Sequence, residues 1–403
     1  MRAFPCCLLA LTATCWTVPA RAAPGDPVPL ADGVTLDPIL ALRVRYETVS
    51  EDKPLEPAEA LTARLQAGFE VASGAFSLLI EGEATTELTD SFNNTLPGNS
   101  RAGFSVVADP ENFELNRAQI AWRAGTNSVT LGRQRIILDD ARFVGNVVWR
   151  QNEQTFDAVR AQAGIGPVRL DATYASAVQT VFGADSPNAR FGGDLLFLNA
   201  GVKLATGEIT GFAYLLDFDT RLNASSNTFG AKAALKLPAG PVTVSLKAAF
   251  ATQSDTGGNP VAYRAHYTLA EAGANWGGFT LAGGIEQLGS DDGRAAFQTP
   301  LATLFAFNGW ADLFLRTPDA GLTDTYARAG KQLAVKGLGK VDLLAVYHRF
   351  DSDAGRQRYG DEIDLSAGLT MGRATVLARF ASYRADGFAF DTRKFWLQTE
   401  IIF

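Results

Sequence analysis

From residue 61 to 71 the chain alternates without a break. Leu61, Ala63, Leu65, Ala67, Phe69 and Val71 share one parity, and Thr62, Arg64, Gln66, Gly68 and Glu70 share the other. Successive side chains of a strand point to opposite faces, so a period of two describes a ribbon with one apolar and one polar side. The pattern recurs at 39–49, 168–178, 242–250 and 263–269. There Leu42 and Val44 oppose Arg43 and Arg45, Leu170 and Tyr174 oppose Arg169 and Asp171, Leu246 and Phe250 oppose Thr243 and Lys247, and Tyr263 and Tyr267 oppose Arg264 and His266. Globular strands usually run about five or six residues. These runs are often longer, in the range of about nine to eleven that a tilted strand needs to cross a bilayer.

Other routes into a membrane are closed. After residue 22 no segment offers eighteen uncharged residues in a row, whereas a membrane helix needs about twenty apolar ones. The 36 Lys and Arg against 43 Asp and Glu, net −7, argue against a nucleic-acid partner. The first 22 residues read as a secretory signal peptide: Arg2 is the positive start, Cys6 to Trp16 the apolar stretch, and Ala20-Arg21-Ala22 the small-residue site, with cleavage after Ala22. The other reading is an uncleaved anchor helix; Thr12-Ala13-Thr14-Cys15 fits a lipoprotein site poorly. All three cysteines lie in this leader, so the mature chain has no disulfide or thiol chemistry and carries net −9.

The connections alternate strictly. Short Gly- or Pro-marked turns fall at 73–74, 125–126, 164–167, 206–207, 238–241, 276–278, 337–339 and 372–373. Longer polar loops fall near 50–60, 89–112, 139–153, 179–194, 220–227, 252–260, 289–322, 351–361 and 385–391. Seventeen connections make eighteen strands. The alternation is weakest at 155–163 and 322–336, which leaves sixteen as the other count. Short turns inside and long loops outside are the outer-membrane arrangement, with both chain ends in the periplasm. The expected architecture is an all-β, antiparallel, up-and-down transmembrane barrel over 36–403, preceded by a periplasmic segment at 23–35. At the C-terminus Phe395, Leu397, Thr399, Ile401 and Phe403 form one face. A terminal aromatic on an alternating strand resembles the recognition signal of the bacterial barrel-assembly machinery, which makes Phe403 the expected assembly signal.

Residues 113–169 depart from the acidic background, with eight Arg and five acids, net +3, while the rest of the mature chain is −12. Arg holds its charge and forms forked bonds to carboxylates. Arg117 and Arg123 share parity with Gln119, opposite Ile120 and Trp122, so both are expected in the lumen. Arg133 and Arg135 share parity with Val129 and Leu131, and reach the lumen only if Gly132 marks a bulge. Together with Arg43, Arg45, Arg64, Arg150 and Arg169, they form the expected pore-lining set. One reading is a stripe that attracts anions. The other is a set of braces paired with Glu70, Glu81, Glu83 and Glu87.

The runs Glu114 to Ile120, Leu131 to Ile136 and Phe143 to Asp157, with Phe297 to Phe305 and Phe307 to Asp312, resemble the alginate-export family of outer-membrane barrels. The likeness runs from about residue 36 to the C-terminus. It implies an eighteen-stranded monomer, export of a polyuronate through an Arg-lined pore, and Arg117, Arg133, Arg135 and Arg150 as the residues to suspect. The resulting expectation is an outer-membrane pore for anionic, carboxylated saccharides, embedded in outer-membrane lipid. A porin-like uptake channel for small acids or sugars is the alternative, and a barrel hydrolase or surface-binding protein comes from another class.

Other chemistry is sparse. Two histidines, His266 and His348, make no zinc site by themselves. His348 with Asp351 and Asp353 is the one arrangement a hydrolase could use, and no catalytic residue is assigned. Asp351, Asp353 and Gly355, or Asp291 and Asp292, offer weak loop Ca²⁺ sites; no other metal or cofactor is expected. Within the long loop 289–322, Leu301, Leu304, Phe305, Phe307, Trp310, Leu313 and Phe314 recur at helical spacing after Thr299 and Pro300 and before Pro318. This predicts a helix over 299–317, with Phe305, Phe307, Trp310 and Phe314 as a constriction, or else a helix packed on its own loops.

Overall fold

The computed structural model describes residues 26–99 and 101–403; the expected leader, 1–22, lies outside the described residues. The alternating segments form eighteen antiparallel strands, each bonded to the next in sequence. The last, Thr392–Ile402, closes on the first, Val34–Glu51, with Ile402 opposite Ala41 and Thr392 opposite Glu51. Closure leaves no unpaired edge, which is the condition for strands to lie in lipid. The two weakly patterned segments are full strands, Thr155–Ile165 and Leu322–Val335, so the count is eighteen and not sixteen. A short strand, Val28–Ala31, folds back on the start of Val34–Glu51.

The alternation sets the faces. On the first strand Leu40, Leu42 and Val44 are exposed outside while Arg43, Arg45 and Glu47 are buried inside. The short turns hold left-handed glycines, such as Gly74 at φ +57° and Gly125 at φ +60°, as two-residue hairpin turns require. At the C-terminus the Phe403 amide donates to the Leu40 carbonyl at 2.9 Å. Its ring lies outside, in the same apolar belt as Phe395 and Leu397. Deleting Phe403 is expected to impair insertion, because the chain then ends on Ile402, whose partner Ala41 faces inward. Loss of heat-modifiable migration reports this, and unchanged migration removes the assembly role.

At 263–269 the faces are reversed. Ala265 and Tyr267 are buried inside, and His266 lies outside, stacked on Phe250 at 5.7 Å. At this extracellular end the lumen is filled by loops, and Tyr267 packs edge-on against Phe143 at 5.2 Å. An apolar residue there is drawn inward to a packed plug, not outward to lipid.

Two connections, 135–154 and 289–321, fold into the lumen and join a single apolar core with the wall, including Phe143, Trp149, Phe297, Phe305 and Trp310. The helix expected over 299–317 does not form; the only helical turn there is Leu304–Ala306. Its backbone groups bond elsewhere. Gly145 donates to the Leu301 carbonyl at 2.9 Å, and the Trp310 and Ala311 amides donate to Asp364 and Glu362 on the wall at 3.2 and 2.7 Å. Asn308, Gly309 and Asp312 all have left-handed φ, which no α-helix accommodates.

Candidate functional site in the lumen

Strand Val34–Glu51 places Arg43, Arg45 and Glu47 on the inner wall, and the descending loop 146–154 lies against them. Arg43 donates to Glu400 at 2.8 Å and to the carbonyls of Val148 and Arg150 at 3.0 and 3.1 Å. Arg45 donates to Gln398 and to the Trp149 carbonyl, reaches Asp109 at 3.3 Å, and lies 4.2 Å over the Trp149 ring. Arg64 donates to Glu400 at 2.8 Å and stands 3.8 Å from Glu153. Arg150 reaches across to Asp312 on the second loop at 2.7 Å, with Glu47 at 3.7 Å.

The Arg-rich segment meets the same fate. The register slips between Glu81 and Gly82, so Asn116 and Arg117 both face inward onto Glu81. Arg117 grips that carboxylate with two bonds, at 2.9 and 2.6 Å. Arg135 adds a third cationic contact at 3.1 Å and also donates to Glu153. Burial pushes the Glu153 carboxyl up, but Arg135 and Arg64 outweigh it and hold it below its ordinary value. Five of the nine expected arginines, Arg43, Arg45, Arg64, Arg135 and Arg150, therefore fasten loops to wall, and Arg117 braces two neighbouring strands. Arg123 sits near the periplasmic end with Glu70 at 3.1 Å. Arg169 lines a recess near the same end with Arg160 and Asp171.

Arg133 corrects the expectation. The register with Ala118 and Asp157 continues through Gly132 without a bulge, so Arg133 keeps the parity of Val129 and Leu131. It pairs on the outer face with Asp157 at 2.8 Å. Gly132 serves a different need: its φ is +115°, and a Cβ there would stand 2.2 Å from the Ala118 carbonyl oxygen. Arg135 reaches the lumen because the strand Asn127–Gln134 ends just before it.

Two residues lie outside the expected pore-lining set, Arg142 having counted only as one of the eight arginines of 113–169. Arg142, buried in the first loop, donates to Glu286 at 2.6 Å, to the Thr299 hydroxyl at 2.9 Å and to Asn308 at 3.1 Å, tying both loops to the wall. Burial lowers its affinity for a proton, but Glu286 and Tyr267 more than restore it, and its pKa is raised. Arg379, on strand Ala374–Ala385, lies 4.4 Å over Trp149, 4.5 Å over Trp310 and 5.3 Å over Phe305. It forms no ion pair among the described residues, and its Nε is buried without a hydrogen bond. Arg379 lies opposite the buried Trp396 on the inner face, and its aromatic neighbours come from loops distant in sequence.

Between the loops and the wall the lumen holds a cavity of about 540 Å³. Trp149, Phe305 and Trp310 make an aromatic side, with Phe305 stacked 4.1 Å from Trp149. Phe307 lies at the same constriction, 4.8 Å under the Arg142 guanidinium. Phe314 turns away to pack on Phe350 at 4.6 Å. Arg43 and Arg379 bring positive charge, as do Lys247 and Arg328, both paired with Glu271, and Asp140, Glu286, Asp324, Glu400 and His348 also line the cavity. His348 does not meet Asp351 or Asp353; its Nδ1 lies 2.9 Å from Asp324. Asp351 accepts from Arg349, and Asp353 from Gln287 and the Ser290 amide. Asp291 accepts from the Arg264 amide. Among the described residues no three His, Cys, Asp or Glu side chains gather as a metal site.

A family model described as alginate export matches residues 114–193, the stretch holding most of the motifs that carried the resemblance. No curated protein matches the chain. Among solved structures, Acinetobacter baumannii OccAB3 superposes with a TM-score of 0.68 at 15% identity, over 91% of this chain and 99% of its own. Pseudomonas aeruginosa OccK9 (OpdG) gives 0.70 at 15%, over 92% and 99%. Pseudomonas aeruginosa OpdK, solved with vanillate, gives 0.68 at 15%, over 92% and 99%. At such identities the likeness is one of fold: a closed eighteen-stranded outer-membrane barrel.

Proposed function

We propose that the protein is an outer-membrane channel that admits small carboxylated solutes, acids or single sugar acids, one at a time. The observation that carries this is Arg379, a cation without an ion pair among the described residues, on the aromatic side of a cavity of about 540 Å³. That volume is the size of a small-molecule site, and the fold neighbour OpdK was solved with a small carboxylate, vanillate. Arg43, Arg45, Arg64, Arg135, Arg142 and Arg150 are bonded to acids and loop carbonyls, so they hold the constriction in shape. The barrel works as a monomer, delivered by its leader and inserted by the barrel-assembly machinery.

Polyuronate export is the second reading, favoured by the family-model match at 114–193. A polymer needs a continuous bore, and the two seated loops would have to withdraw. Reconstituted liposomes separate the readings. Vanillate and monomeric uronate are expected to permeate, and Arg379→Gln to shift the bilayer reversal potential toward cations. The shift should fade at high salt, as the Debye length falls from about 10 Å at 0.1 M to 3 Å at 1 M. Oligouronates crossing as fast as the monomer would favour export, and an unchanged reversal potential would remove Arg379 from the path.

A further inference from the structure

The outer face carries an asymmetry that transport does not use. On strands Gly339–Asp351, Ala374–Ala385 and Thr392–Ile402 the lipid-facing parity runs through Tyr347, Phe380 and Phe395 and then changes to Arg349, Arg384 and Arg393, while strand Arg358–Met371 carries Asp361 above Ile363. Arg393 stands nine residues from Ile402, and Arg384 ten from Ala374. At about 3.3 Å per residue and a tilt near 40°, both lie roughly 23–25 Å above the periplasmic end, at the top of an apolar band about 25 Å tall. On the opposite side of the wall the same height holds carboxylates, Asp194 directly across from Asp217.

The acids near the arginines are engaged. Asp361, the cross-strand partner of Arg384, accepts from Arg358 and from the Tyr347 hydroxyl. Asp386 pairs with Arg358 at 3.2 Å, Asp351 pairs with Arg349 at 2.9 Å, and Asp391 accepts from the Ala385 amide. Arg384 and Arg393 have no such partner among the described residues. They sit diagonally on neighbouring strands, with Ser382 and Ser50 directly opposite Arg393. Diagonal cross-strand positions lie about 7–8 Å apart, a span that a phosphate group can bridge with two guanidiniums and flanking hydroxyls.

We propose that Arg384 and Arg393, with Ser382 and Ser50, form an outward site for the phosphorylated headgroup of an outer-leaflet lipid. The charge is complementary, the height is that of the headgroups, and the apolar surface just below receives the acyl chains. The site stands on the outer wall, independent of the lumen.

The test is lipid binding by the intact detergent-solubilised barrel, read by native mass spectrometry and by titration with lipid A, a doubly phosphorylated glycolipid. The wild type is expected to retain lipid A, and Arg384→Gln with Arg393→Gln to bind it about thirtyfold more weakly, the factor that two interfacial charges carry. Asp194→Asn, on the opposite side, is expected to change nothing. Dephosphorylated lipid A should bind the wild type no better than the double variant binds lipid A. Equal retention by the double variant, or by the dephosphorylated lipid, overturns the site. Displacement of lipid A by millimolar inorganic phosphate would make it a free-anion site and overturns the lipid assignment. If the double variant does not insert, the single Arg393→Gln exchange serves, with a loss of about fivefold expected and an unchanged affinity overturning the proposal.

Discussion

Removing residues 299–317 raises single-channel conductance roughly threefold or more, because eighteen strands enclose an aqueous bore and only loop 135–154 then stays in it. The segment carries Phe305, Trp310 and Asp312, three of the groups that narrow the lumen. The wall's own hydrogen bonds run from strand to strand and are untouched by the deletion. Glu286, Glu362 and Asp364 lose loop partners, but the water that replaces the loop solvates them. The shortened protein therefore still migrates as a heat-modifiable barrel. Conductance equal to the parent's would place permeation outside this loop.

The second large effect is on stability. Glu81 is 1% exposed and accepts from Asn116, Arg117 and Arg135. Glu81→Ala leaves two guanidiniums short of their shared counter-charge in a packed wall, and removing one partner of a buried pair costs about 3–5 kcal/mol. Urea unfolding in micelles reads the loss. The double exchange Glu81→Gln with Arg117→Gln should recover part of it, since neither remaining group is then an isolated charge. A loss below about 1 kcal/mol, the scale of an exposed ion pair, would mean that water reaches these arginines, and the stripe would then be free to meet anions.

The wall was legible in the sequence because a membrane strand is specified locally: each residue's partner in the pattern is two positions away, and lipid enforces it. The plug was not. Tyr267 and Phe297 are apolar whether they meet lipid or another loop, and parity does not say which. The spacing of Leu301, Phe305 and Trp310 suits a helix, yet the acids that pull the loop into an irregular path, Glu362 and Asp364, lie more than fifty residues on. For Arg133 the plain parity was sound, and the bulge invoked to turn it inward does not exist. Arg379 shares the inner face with its strand partner Trp396, but its contacts with Trp149, Phe305 and Trp310 depend on where two loops distant in sequence bring those rings.

The seam between first and last strands has a consequence for how the molecule comes into being. Arg43 holds the carboxylate of Glu400, 357 positions away along the chain, and the same guanidinium holds the carbonyls of Val148 and Arg150. One side chain thus latches the cylinder and seats its stopper. Until the final strand arrives, Arg43 lacks its Glu400 anchor and the stopper lacks a completed wall to press against. Closing the cylinder and seating its stopper are thereby coupled through one guanidinium.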